Sequence, residues 1–162
     1  MGIIENEIIA MGFSAGGHLV LSEPGVYNTI NLNDEYKDID GRPNAIVSGY
    51  GMVDLKCGML GITADMILLG AGLKEKKSEM LNVNNLADKN YPPVFMFAME
   101  NDPVVPPSFN CIELDKTLDR LEVPHELHIY PGDVHGFGLG KDTPAEEWPV
   151  QMDAFLRKTL IK

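Results

Sequence analysis

The chain has 162 residues, with 24 acidic against 13 basic side chains and a formal net charge of −11. At about 150 residues per domain it reads as one domain, 1–162, and a chain this long buries about two thirds of its unfolded surface without disulfide staples. Its hydrophobic share of 44% is ordinary globular material, while the acidic balance excludes nucleic acid and anionic membrane surfaces, which call for clustered Lys and Arg.

In chain order, Ile8-Ile9-Ala10-Met11, ending at Gly12, predicts a short buried strand. Ala15 to Leu21 predicts a helix that stops near Pro24-Gly25, and a polar, turn-rich stretch follows from Glu23 to Pro43. Ala45 to Tyr50 is a second apolar run, and Val94 to Met99 is a third, entered through Pro92-Pro93. Between them, Lys56 to Pro92 is rich in Gly and Met and reads as a helix with a surface loop or as an adaptable wall over a site. Ser108 to Leu121 carries Ile112, Leu114, Leu118 and Leu121 at amphipathic-helix spacing. Glu126 to Tyr130 predicts a fourth strand, and Glu146 to Leu160 a last helix with Trp148, Met152, Phe155, Leu156 and Leu160 on its apolar side.

Four strands separated by helical segments predict an α/β fold: a mostly parallel sheet of about four strands with helices on both faces. Continuous apolar runs fit strands buried on both sides. In open sheets of this kind, reactive groups sit in the loops at the carboxyl ends of the strands.

The first such loop is Gly12-Phe13-Ser14-Ala15-Gly16, a G-x-S-x-G pattern between a predicted strand and a predicted helix. The turn is tight enough to force a strained backbone on Ser14 and hold its hydroxyl out at the head of the helix. The N–H groups of Ala15 and Gly16 then face the place where an oxyanion forms. A serine hydroxyl needs a base within hydrogen-bond reach. Of the four histidines, His18 falls in the elbow helix, His125 precedes the fourth strand and His128 lies inside it. His135 sits in the Gly-rich loop after that strand and is the candidate base. The base needs a carboxylate to fix its tautomer. Asp102, in the loop after the third strand and stiffened by Pro103 and Pro106, is preferred; Glu100, Asp133 and Asp54 are the rivals. The order Ser14, Asp102, His135 is the α/β-hydrolase order.

The two cysteines, Cys57 and Cys111, lack CxxC spacing and an adjacent His cluster, so reduced thiols in a cytoplasmic protein are expected, with no zinc and no redox pair. No apolar run reaches membrane-span length. Met1 to Asn6 carries neither a secretory leader nor a myristoylation pattern.

Three groups of residues extend the match: Ile9 to Leu19; Pro92 to Phe95 with Glu100 to Pro106; and Val123 to His128 with Gly132 to Leu139. With Asp40 to Pro43, they make the chain resemble the α/β-hydrolase serine esterases related to acetyl esterases and acetylxylan esterases. The resemblance implies catalytic Ser14, Asp102 and His135 with no metal or cofactor. It also implies a small-molecule or carbohydrate ester as substrate. Members of that group carry further strands and a His-Gly-Gly oxyanion loop before the elbow, and the elbow strand here begins close to Met1. The expectation is therefore a truncated α/β-hydrolase that lacks the second oxyanion donor. Its elbow strand would lie at a sheet edge and be covered in a homodimer or higher oligomer. Hydrolysis of short acyl esters, acetyl esters above all, is the leading function. The alternatives are an impaired truncated hydrolase serving as an interaction module, and a serine peptidase of the prolyl-oligopeptidase kind.

Overall fold

The computed structural model describes residues 7–27, 40–56 and 75–160. The described elements are β1 (Ile9–Phe13), α1 (Ala15–Val26), β2 (Ala45–Gly49), α2 (Glu75–Met80), α3 (Val83–Leu86), β3 (Val94–Met99), α4 (Cys111–Leu121), β4 (His125–Tyr130) and α5 (Trp148–Leu160). The four strands form one sheet in the order β1-β2-β3-β4, every pair parallel. Most of the turn-rich stretch after α1, Cys57, and much of the Gly- and Met-rich segment lie outside the described residues.

Sheet order equal to chain order has a geometric consequence. Right-handed crossovers that always step the same way place their helices on one face. Accordingly α1 packs beside α3, and α3 beside α4, while α5 packs against β2 and β3. Strand parity separates the two faces. Ser48 of β2 faces α1, where its Oγ would lie 2.9 Å from a Cβ on Gly17. Phe95 and Phe97 of β3 face α5, with Phe97 stacked on Trp148 at 4.3 Å and Phe95 against Phe155 at 5.8 Å. β2 and β3 are buried throughout, as continuous apolar runs require.

One register row crosses the sheet at its carboxyl end: Phe13, Gly49, Phe97, His128. The glycine in that row is steric in origin. A Cβ on Gly49 would stand 2.6 Å from both the Phe13 and the Phe97 rings. Its absence lets two large rings close over β2 beneath the loops.

Two helices differ from their sequence outlines. α1 continues through Pro24 to Val26. The proline falls in the last turn, where loss of one backbone hydrogen bond is tolerable, and Gly25 lets α1 close on α3; a Cβ there would come within 2.5 Å of Leu86 Cβ. The run from Ser108 is broken at Asn110, between a 3₁₀ turn at Pro107–Phe109 and α4. Buried Asn110 accepts from the Val53 N–H at 2.9 Å and donates to the Pro106 carbonyl at 3.0 Å. It ties the exit of β2 to the start of α4, and that tie interrupts the helix.

Candidate active site

Ser14 occupies the single turn residue between β1 and α1, with φ 54° and ψ −119°. Positive φ on a residue with a Cβ is strained. Three backbone bonds hold it: its N–H donates to Gly49 O at 3.0 Å, and its carbonyl accepts from His18 at 3.2 Å and Met52 at 3.4 Å. The glycines of the pattern and Gly17, which follows it, are unequal. A Cβ on Gly12 would stand 2.0 Å from Gly16 O, and one on Gly17 would stand 2.6 Å from Gly51 Cα. A Cβ on Gly16 would meet nothing within 4 Å. Gly12 and Gly17 therefore make the tight turn possible, and Gly16 does not limit it. Ala15 is exposed and Gly16 half-buried, and together they open α1, where the first N–H groups have no partner within the helix.

His135 lies in the loop after β4. Its Nε2 is 2.8 Å from Ser14 Oγ, and its Nδ1 is 2.7 Å from Asp102 Oδ2. A carboxylate only accepts, so Nδ1 carries the donated proton and Nε2 presents its lone pair to the serine hydroxyl. The Asp102 side chain is fully buried and that of His135 is 16% exposed. The other carboxylate oxygen, Oδ1, accepts from the Val104 and Val105 N–H groups at 2.8 and 2.9 Å. The loop thus locks Asp102 with one oxygen and leaves the second for the imidazole. The arrangement can pass a proton from hydroxyl to imidazole while the carboxylate fixes the ring.

The rivals stand elsewhere. Glu100 and Asp133 are exposed, and Asp54 caps the Lys56 N–H at 2.9 Å. His18 is buried under the elbow, with Nε2 donating to Leu81 O at 2.9 Å; burial pushes its pKa below the usual 6.5. His128 packs its ring against Phe95 at 5.0 Å. His125 Nε2 lies 3.3 Å from Asp115 and 3.7 Å from Asp119. That is the one group with metal-ligand spacing among the described residues. It lies at the amino end of β4, at the opposite end of the sheet from Ser14.

Two aromatic residues around the His135 loop carried no functional signal in the sequence. Tyr50, directly after β2, sets its ring 5.0 Å from the His135 ring, and its hydroxyl accepts the Gly138 N–H at 3.3 Å. Trp148 Nε1 donates to the carbonyl of the same glycine at 2.9 Å. An aromatic residue at the end of an apolar run, or heading an amphipathic helix, reads as core. Only the fold brings both rings beneath the loop.

Residues 1–118 match the BD-FAE family. The chain is similar to endo-1,4-beta-xylanase B of Butyrivibrio fibrisolvens, 28% identical over 145 residues, which covers 88% of this chain and 22% of that protein. It is similar to the acetylxylan esterase of Xylanibacter ruminicola, 28% identical over 140 residues, covering 83% of this chain and 27% of that one. Among solved structures, the acetyl ester-xyloside bifunctional hydrolase of Caldicellulosiruptor lactoaceticus superposes with a TM-score of 0.81 at 31% identity, over 96% of this chain and 58% of its own. The chain thus spans about a quarter of the curated relatives and little more than half of that structure. By its match over residues 1–118 and the parallel sheet that carries Ser14, the chain belongs to the BD-FAE family and has the α/β-hydrolase fold.

Proposed function

We propose that this chain is a serine carboxylesterase that cleaves short acyl esters, acetyl esters on carbohydrate foremost, through an acyl-enzyme. The observation that carries the reading is the imidazole of His135 bridging Ser14 Oγ at 2.8 Å and Asp102 Oδ2 at 2.7 Å. Ser14 attacks the ester carbonyl as His135 Nε2 takes its proton. The carbonyl oxygen becomes an oxyanion held by the Ala15 N–H, with that of Gly16 beside it. Collapse expels the alcohol, which leaves with the proton from His135. Water, activated by the same imidazole, then releases the acid and frees Ser14. Asp102 holds the ring and stabilises the imidazolium throughout. The names of the acetylxylan esterase and acetyl ester-xyloside hydrolase relatives support the acetyl and carbohydrate part of the reading.

The test is hydrolysis of a chromogenic acetate ester, native chain against Ser14→Ala. Loss of a nucleophile of this kind costs on the order of 10⁴-fold or more in kcat, and a serine-directed phosphonate labels only the native chain. Hydrolysis that survives Ser14→Ala unchanged sinks the reading. A native chain that neither turns over ester nor takes the label would be an inherited fold serving as an interaction module.

A further inference from the structure

We propose that Tyr50 is a positioning residue for the base, acting on His135 through both its ring and its hydroxyl. The proposal rests on the esterase reading above. Tyr50 is the residue after β2 and is buried, with 6% of its surface exposed. Its φ is +38°, outside the range ordinary side chains adopt. Backbone strain of this sort persists only where the surroundings over-determine it. Here they do. The Tyr50 N–H is tied to Phe97 O, and its ring is packed by Phe13 at 5.7 Å, Phe97 at 6.1 Å and Phe137 at 4.8 Å.

The strained backbone carries the ring to His135. The two ring centroids are 5.0 Å apart at an interplanar angle of 70°, the edge-to-face arrangement that aromatic pairs favour. Hydrogen bonds with Ser14, which donates to Nε2, and Asp102, which accepts from Nδ1, fix the two nitrogens of the imidazole but leave rotation about the line joining them. Packing against Tyr50 opposes that rotation. The hydroxyl supplies the second constraint. His135 sits in a loop with glycines at positive φ at positions 136, 138 and 140, a backbone with wide freedom of its own. Gly138 is gripped on both polar atoms, its N–H by the Tyr50 hydroxyl at 3.3 Å and its carbonyl by Trp148 Nε1 at 2.9 Å. Tyr50 thus restrains both the ring and the loop that bears it.

The experiment compares native chain, Tyr50→Phe and Tyr50→Leu. Active sites are first counted by titration with a serine-directed phosphonate, so that kcat refers to folded, reactive Ser14. Tyr50→Phe keeps the ring and loses the hydroxyl. Its kcat per titrated site is expected to fall roughly three- to tenfold, the factor set by one hydrogen bond. Tyr50→Leu loses both, and its kcat is expected to fall about 100-fold, as displacement of a reacting group does. KM stays within about twofold in both, because the bond-making geometry changes and ester binding does not. If the leucine variant does not fold cooperatively, the phenylalanine variant decides alone. A kcat per titrated site within about twofold of native in Tyr50→Phe overturns the proposal, as does a loss that appears wholly in KM. Failure of the esterase reading itself looks different: the native chain shows no Ser14-dependent hydrolysis.

Discussion

Ser14, Asp102 and His135 were legible from the sequence because each follows an apolar run that could only be a strand, and loops at strand ends are where chemistry collects. Of the carboxylates weighed there, Asp102 is the one the fold sets against His135, at 2.7 Å. Tyr50 was not legible, since its contact with the His135 ring is made across the sheet. His18 is the residue whose environment gives a pH effect. Its ring spends its one N–H on Leu81 O, and burial disfavours a second proton. The folded pKa is therefore below 6.5, while the unfolded chain titrates near it. Stability from this group is complete above about pH 6.5 and is lost as pH falls from there toward the folded value, because the unfolded chain then binds a proton the fold refuses. His18→Gln keeps an amide donor and removes the titration. Its melting temperature is expected to fall less than that of the native chain between about pH 7 and pH 5. Parallel melting curves across that range would assign the acid sensitivity to other groups.

Among the elements, β3 was read from the sequence to its exact ends because the run is unbroken and Pro92-Pro93 marks its start. α1 and the start of α4 were not, because Pro24 is tolerated in a last turn and the Asn110 tie to Val53 comes from a segment far away in sequence. The elbow offers a sharp test of packing at this level. Gly17→Ala forces a Cβ against the backbone of Gly51, within 2.6 Å, and against Ser48 Oγ, within 2.9 Å. Overpacking of this kind costs about 1–3 kcal/mol, and the lifted helix should slow phosphonate labelling of Ser14. Gly16→Ala meets open space, so its only stability term is the gain of up to about 1 kcal/mol for alanine over glycine in a helix. Chemical denaturation of the pair measures both. Equal stability for the two variants would refute the close approach of α1 to the exit of β2.

At the scale of the molecule, the sheet is covered unevenly. α5 lies over β2 and β3, and on that same face Ile9 and Met11 of β1 remain 39% and 43% exposed. β1 also ends the described sheet, with β2 its one described neighbour. We propose that a second copy covers β1 in a homodimer or higher oligomer, as an apolar edge strand calls for cover. With a net charge of −11 on each copy, association should strengthen as salt screens the repulsion. Met11→Lys, which puts a charge on that face, is expected to shift sedimentation equilibrium toward monomer. A native chain that is monomeric at every concentration and salt level would rule out the dimer.

The hydroxyl and the imidazole that meet at 2.8 Å are 121 residues apart in the chain. The carboxylate comes from a third stretch, and each of the three hangs from a different strand. No local segment can bring these groups together before the sheet has zipped from β1 through to β4. Under the proposed esterase reading, reactivity of this serine reports completed assembly. During refolding, a covalent label should be taken up only after the circular dichroism has recovered.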